Sequence, residues 1–392
     1  MNNFTLQLPT KVIFGKDTEK LVGEEIRARG AKKVLVHFGG KSAQESGLLD
    51  RVYASLDAAG IGYVSLGGVR ANPMLSMAEQ GVALAKKENV DFLLAVGGGS
   101  AIDSAKGIAY GVVNDCDLWD IYTRKVAPVG ALPVGCVLTI AAAGSEMSDS
   151  SVLTKDDGMI KIGYSNDLGR PAFAIMNPEL TYTLPEYQTM SGVVDILMHT
   201  LERYFTNDSG MFVDRMSEAL LVTVMEMGRR LLVNPRDYEA RAEVMWAASV
   251  SHNGLTGVGR QGDFASHQLS HELSGMFDAA HGAGLSAVWG SWARYVYKHD
   301  PARFAQFAVR VMGVRNDFFD VEATALKGIE AIEDYFRSIR MPVSISELGI
   351  KDLTDEQIDE MTIKCTRQST RKIGFFVKLD DDDVRKIFHM AK

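Results

Sequence analysis

The chain has 392 residues, of which 46% are hydrophobic and 23% charged, and it carries a formal net charge of -8. That length exceeds one ordinary core and implies two domains, and the composition is that of a soluble globular protein. The acidic balance argues against nucleic acid or an anionic membrane surface as a partner, and no apolar run is long enough to cross a bilayer.

The N-terminal stretch MNNFTLQLPTKVIFG has no charged segment followed by an apolar core, so it is not a signal peptide. Residues 4–15 read as an edge strand able to pair with a second copy across a two-fold axis, and a homodimer is expected. Then come KKVLVHFGG (32–40), IGYVSLGG (61–68) and VDFLLAVGGGS (90–100), each an apolar run ending in glycine. GALPVGCVLTI (130–140) and PAFAIMNPEL (171–180) read as further strands, and MLSMAEQGVALAKKEN (74–89) as an intervening helix. Apolar strands alternating with amphipathic helices imply a parallel sheet covered on both faces. Beyond TLPEYQ (183–188) strand signals fade and apolar residues fall at helical spacing. The expected division is residues 1–185 as an α/β dinucleotide-binding domain and 186–392 as a helical domain. The acidic run Asp380–Asp383 reads as a solvated helix start. The three cysteines, Cys116, Cys136 and Cys365, are widely spaced and form no CxxC, which fits a reducing, cytoplasmic compartment.

LLAVGGGSAIDSAKGIA is strand, glycine turn and helix. Glycines permit close approach of a ligand and positive φ. Ser100 suits an N-cap, with Asp103 three residues on as in a capping box. The amides of Gly98, Gly99 and Ser100 would then face an anion such as a pyrophosphate. The spacing is not GxGxxG, so a tight turn without a ligand remains the alternative. At the end of the first strand of the sheet, Gly39, Gly40, Lys41 and Ser42 stand where an NAD-specific protein usually carries a carboxylate. The missing charge and Lys41 favour NADP(H), with NAD(H) as the lesser alternative. Asn72 in VRANP is a phosphate or ribose partner, or simply turn chemistry.

In GVVDILMHTLERY, Asp195 and His199 lie four apart, and Glu202 seven from Asp195, on one helix face within apolar surroundings. Such groups are costly there unless paired. His267 and His271 repeat the spacing of four, and His281 follows ten later. An aspartate with three histidines is a plausible site for one divalent ion, Fe(II) or Zn(II); the bland alternative is a set of core hydrogen bonds.

The motifs GGVRANP, AVGGGSAIDSAK, LTIAAAGSEMS, NPELTYTLP, GVVDILMHTLERY and HQLSHELSGMFDAAHG follow one another across most of the chain. In this it resembles the iron-containing (group III) alcohol dehydrogenases, in particular their butanol dehydrogenase and NADPH-dependent aldehyde reductase branch. The resemblance implies a Rossmann-like domain plus an all-α domain, in a dehydroquinate synthase-like architecture. It implies a metal held by Asp195, His199, His267 and His281, with His271 near the nicotinamide as a catalytic group rather than a ligand. By position it adds Thr139, Ser148, Lys161 and Leu180 to the cofactor residues. The function implied is hydride transfer between NAD(P)H and a small aliphatic aldehyde such as butanal. The rivals on this fold are a polyol dehydrogenase and a dehydroquinate synthase-like lyase. From other classes come a metal-dependent hydrolase and a non-catalytic nucleotide-binding module. Apolar residues expected around the pocket, Leu138, Met147, Leu255 and Phe264, favour the simple aldehyde.

Overall fold

Eight strands form: β1 (Lys11–Phe14), β2 (Lys33–Phe38), β3 (Gly62–Leu66), β4 (Phe92–Gly97), β5 (Val134–Leu138), β6 (Ser150–Lys155), β7 (Ile160–Ser165) and β8 (Phe173–Met176). Six of them make one parallel sheet in the order β1-β8-β5-β4-β2-β3. β5 is buried along its whole length and β4 at every residue but Gly97, as strands covered on both faces must be. The computed structural model describes residues 1–392, which divide into Gln7–Leu184 and a second unit of Pro185–Lys392 with Met1–Leu6. The first six residues, placed with the α/β part by the sequence reading, therefore group with the helical unit. Only Lys11–Phe14 of the expected edge segment 4–15 is strand, and it occupies one edge of the sheet.

The sequence reading missed one element. β6 and β7 form an antiparallel hairpin outside the main sheet. Its turn, Asp156–Met159, uses positive φ at Gly158 and Met159. The Asp-Gly pair at 157–158 was the available signal. Its Ser, Thr and Lys content hid the strands on either side.

Strand order matters for function because ligands gather outside the carboxyl ends of parallel strands where the winding reverses. From β2 the chain moves outward to β3, then returns to β4 on the other side of β2. The register pairs His37 with Ala95 and Phe38 with Val96, so Gly39 and Gly98 both follow the carboxyl ends of neighbouring strands.

The second unit is built of helices, with Ile373 and Leu379 forming a single antiparallel bridge. Glu186–Tyr204 is its central helix, buried continuously from Thr189 to Glu202. His281–Val296 packs against it, and Ala265–Phe277 packs against His281–Val296. Asp380 caps the last helix, Asp381–Ala391, in a capping box with Asp383, which accounts for the acidic run. No helix is long and apolar enough to cross a membrane.

Candidate active site

The α/β unit presents backbone. Helix Gly99–Val113 starts at once after β4, with Gly98 as N-cap in an extended conformation. None of Gly97, Gly98 and Gly99 has positive φ, so left-handed backbone is not why glycine stands there. The reason is close approach. A Cβ on Gly98 would lie 2.9 Å from Ile140 Cδ1, and one on Gly99 would lie 3.3 Å from the Ala143 Cβ. Thr139 N–H donates to the Gly97 carbonyl at 3.0 Å, holding the loop after β5 against the turn.

The expected capping box does not form. Ser100 Oγ donates to the Ala71 carbonyl at 2.5 Å. Asp103 accepts from Ser145 Oγ at 2.5 Å and from Val152 N–H at 3.0 Å. Both Asp103 oxygens are thus engaged in holding the 145–152 segment. Lys106, fully buried one turn later, works on the same segment: its Nζ donates to the carbonyls of Ser145, Ser148 and Ser150 at 2.8, 3.0 and 2.7 Å. Burial pushes the Lys106 ammonium below its ordinary pKa, with the Asp103 carboxylate opposing. Ser148, expected at the cofactor, is fully buried within this segment.

The other expected cofactor residues lie around the same end of the sheet. Gly39 accepts from Gly68 N–H at 2.8 Å, and Gly40, Lys41 and Ser42 are exposed. Lys161 on β7 donates to Asn72 Oδ1 at 3.1 Å, joining two of them directly. Leu180 packs on the core of the sheet with Phe38. Leu138 and Met147 are buried in this unit at 1% and 6% exposure.

The helical unit presents side chains. Asp195, His267 and His281 bring one ligand atom each to within 4.8 Å of one another. They come from three helices, and small residues make this possible. A Cβ on Gly282 would run into the Ser191 carbonyl, and one on Gly284 would lie 2.7 Å from Ser270 Oγ. The first turn of His281–Val296 therefore seats backbone to backbone on the central helix, one turn before Asp195.

Asp195 Oδ1 is the common point. His267 Nε2 lies 3.8 Å from it, His281 Nε2 3.7 Å and His199 Nδ1 3.2 Å. His199 is not in the tight set of three. Its Nδ1 donates to the Asp195 carbonyl at 3.0 Å, and its ring stands 4.5 Å from that of His267. His271, half-buried one turn beyond His267, has its ring 5.5 Å from the His281 ring. Phe264 stands 5.4 Å from the His267 ring, while Leu255 sits half-buried in a short turn of the same unit.

Partners of these side chains were not read from the sequence. Glu202 was placed on the Asp195 face, but its role was not. It is 3% exposed, and burial pushes its carboxyl up to about 8. Its Oε1 accepts His267 N–H at 3.0 Å and lies 3.2 Å from His267 Nδ1. Arg203 donates to the His199 carbonyl at 2.6 Å and to His252 Nδ1 at 3.0 Å, and the His252 ring packs edge-on to His199 at 4.2 Å. Asp263 accepts from the N–H groups of Ala265, Phe375 and Phe376, tying residues 375–376 to the start of the His267 helix. No periodicity announces the pairings of Glu202 with His267, Arg203 with His252 or Asp263 with Phe375 and Phe376, because each joins segments distant in sequence.

Two family models cover the chain: iron-containing alcohol dehydrogenase over residues 9–178, and the C-terminal region of the Fe-containing alcohol dehydrogenase family over 189–392. The chain belongs to the iron-containing alcohol dehydrogenase family. It is 40% identical over 388 residues to a probable NADH-dependent butanol dehydrogenase of Bacillus subtilis, with 99% of each chain covered. It is 33% identical over 396 residues to an NADPH-dependent aldehyde reductase of Escherichia coli, covering 100% of both. Among solved structures, an NADH-dependent butanol dehydrogenase A of Thermotoga maritima superposes with a TM-score of 0.96 at 39% identity, over 100% of this chain and 99% of the other. The protein is thus an oxidoreductase of the alcohol dehydrogenase and aldehyde reductase type, acting on the CH–OH group with a nicotinamide coenzyme and a metal.

The donors present fit that metal. Separations of 3.7 and 3.8 Å between the imidazole nitrogens and Asp195 Oδ1 are too long for hydrogen bonds. They approach the edge of about 3.4 Å between ligands on a tetrahedral shell with bonds of roughly 2.1 Å. One carboxylate and two imidazoles, all buried or half-buried, form the mixed N/O set that divalent Fe or Zn takes.

Proposed function

We infer that the protein reduces small aliphatic aldehydes such as butanal, and oxidises the corresponding alcohols, with one divalent ion held by Asp195, His267 and His281 and completed by His199. The observation that carries this reading is the convergence of the His267 and His281 Nε2 atoms on Asp195 Oδ1. The His199 Nδ1–H bond to the Asp195 carbonyl supports its inclusion, because it leaves the lone pair on Nε2. When bound, the metal supplies a Lewis acid for the substrate oxygen and the coenzyme supplies the hydride.

The chain's own groups supply position and a proton. Gly98 and Gly99 let the coenzyme phosphates approach the start of helix Gly99–Val113, where backbone amides and the helix dipole favour an anion. Asn72, Ser100, Thr139, Lys161 and Leu180 are the further coenzyme residues of this reading. Asp103 and Lys106 hold the adjoining loop from within. Phe264 gives the metal end an apolar wall suited to an alkyl chain. His271 delivers the proton that converts the reduced carbonyl oxygen to a hydroxyl.

NADPH is the preferred coenzyme in this reading. The residues after β2 carry no carboxylate, and Lys41 is exposed there. The names of the relatives point both ways, so NADH preference is the outcome that would overturn it. Either Fe(II) or Zn(II) satisfies the donors. β1 leaves one edge of the sheet open, and the residues before it expose Phe4, Leu6 and Leu8, which supports pairing with a second copy in a homodimer. Three free cysteines support a cytoplasmic setting.

The deciding experiment follows NADPH consumption with butanal before and after treatment with a chelator. Consumption that requires the aldehyde, disappears on chelation and returns with Fe(II) or Zn(II) is expected. Turnover untouched by chelation, in protein shown to be metal-free, would sink the metal-dependent reading.

A further inference from the structure

From its own turn, helix Ala265–Phe277 draws a side-chain acceptor for its first N–H, where Asp263 accepts from Ala265 at 3.1 Å. Its N-cap, Phe264, adopts left-handed backbone at φ 58, and no side chain of the preceding turn reaches the third residue of the helix. That third residue is His267, and its N–H would be one of the unsatisfied donors of a helix start. Glu202, on a different helix, meets it: Oε1 accepts the His267 N–H at 3.0 Å. The same oxygen lies 3.2 Å from Nδ1 of the same histidine. One carboxylate oxygen thus accepts from the backbone N–H and lies close to the imidazole of the same residue.

We propose that Glu202 is the positioning residue of the metal site, fixing the His267 imidazole with its proton on Nδ1 so that Nε2 faces the ion. The inference rests on the metal-site reading above. Three features carry it beyond a buried ion pair. Glu202 lies two turns from Asp195 on the same helix face, so the ligand and its neighbour's orienter are rigidly spaced. The Glu202 carbonyl also accepts Asp263 N–H at 2.7 Å, and Asp263 in turn accepts Ala265 N–H at 3.1 Å. The start of the His267 helix is therefore anchored at two points to one residue. Finally, the ring atom near Glu202 is the nitrogen opposite the one that faces Asp195 at 3.8 Å. A carboxylate on the outer nitrogen sets the tautomer, raises the basicity of the inner nitrogen and limits ring rotation.

The role is tested on metal affinity rather than on turnover alone. Zn(II) or Fe(II) is titrated into chelator-stripped full-length protein against a competing chelator, for the wild type and for Glu202→Gln. The variant keeps the side-chain volume but presents a neutral amide. It should bind the ion roughly 10- to 100-fold more weakly. Glu202→Asp, which keeps the carboxyl on a shorter arm, should recover part of the loss. Equal affinities in the folded Gln variant and the wild type would overturn the inference while leaving the metal reading intact. A wild type that binds no ion would overturn the reading itself. Should Glu202→Gln fail to fold, the wild type still decides. Nitrogen-resolved NMR of histidine-labelled, Zn(II)-loaded protein should show His267 protonated on Nδ1 and ligating through Nε2. Ligation through Nδ1 would refute the proposal.

Discussion

The two units build function in opposite ways. In Gln7–Leu184 the functional surface is backbone, brought into reach because Gly98 and Gly99 have no Cβ to strike Ile140 and Ala143. The side chains nearby, Asp103 and Lys106, turn away from that surface and hold the loop from within. In Pro185–Lys392 the functional surface is side chains, and glycine serves only to bring their helices together, as Gly282 does at Ser191. The difference teaches where substitutions should act. Changing a side chain in the helical unit removes chemistry. Adding one to the α/β turn displaces a ligand.

The largest effect should come from removing chemistry outright. His281→Ala takes one of three donors from the tight set. Metal should be lost, and kcat/KM should fall by about a thousandfold or more, since Lewis-acid stabilisation is worth several kcal/mol. Elemental analysis is the check: an ion that stays stoichiometric in the variant removes His281 from the ligand set. Next in size, His271→Ala should keep the ion and lower kcat by roughly 10²–10⁴-fold, the usual contribution of one acid–base partner. A metal-replete variant with full kcat would make His271 structural.

Histidines also show how far spacing carries. The pairs Asp195/His199 and His267/His271 were legible because a spacing of four repeats a helix face, and His281 because it follows a break. The three-way meeting at Asp195 Oδ1 was legible only through resemblance, since nothing in spacing says which helices touch. The trans-helix reach of Glu202 was not legible at all. Likewise the glycine turn was read correctly as a turn with close approach as a reason for its glycines, but it uses no positive φ and the capping box does not form. The partners of the Ser100 and Asp103 side chains, Ala71, Ser145 and Val152, lie 29, 42 and 49 residues away in sequence.

His37 sharpens the point from the other side, as a histidine that binds protein only. It is fully buried on β2, with Nδ1 2.9 Å from the Leu66 carbonyl and Nε2 2.8 Å from Ser104 Oγ. Burial lowers its pKa from 6.5 to about 4. Between those values the unfolded chain binds a proton that the folded chain refuses. The stability His37 contributes is therefore present above pH 6.5 and lost as pH falls through about 4, by up to about 3 kcal/mol. Denaturant midpoints across that range should fall less steeply in His37→Gln than in the wild type. Identical slopes would mean that His37 does not govern the acid limb.

The α/β turn is tested by addition. Gly98→Ala puts a Cβ 2.9 Å from Ile140 Cδ1 and 3.0 Å from Ile140 Cβ. Overpacking of this kind costs about 1–3 kcal/mol, and here the yielding part is the loop that faces the turn. KM for the coenzyme should rise roughly tenfold while bound metal stays constant. Metal lost together with coenzyme affinity would break the distinction between the two units.

The smallest effect concerns which coenzyme is held. Gly40 lies two residues past the end of β2, is exposed, and a Cβ built on it meets nothing within 4 Å. Gly40→Asp therefore adds a charge without a clash, and any change in preference is electrostatic. A phosphate on the ribose carries close to two negative charges near neutral pH, so the new carboxylate should repel NADPH. It should also accept from the free 2′-hydroxyl of NADH, so both terms push the same way. A charge-assisted bond is worth about 1.5–3 kcal/mol when sheltered, and solvent screening at an exposed turn keeps the shift near its lower end, about tenfold in the ratio of kcat/KM. The ratio for NADPH over NADH, measured with saturating butanal, should favour NADPH in the wild type and move toward NADH in the variant. A wild type that already prefers NADH, or a variant whose ratio does not move, would show that the exposed glycines after β2 do not set the choice, and that side chains such as Asn72 and Lys161 must do so instead.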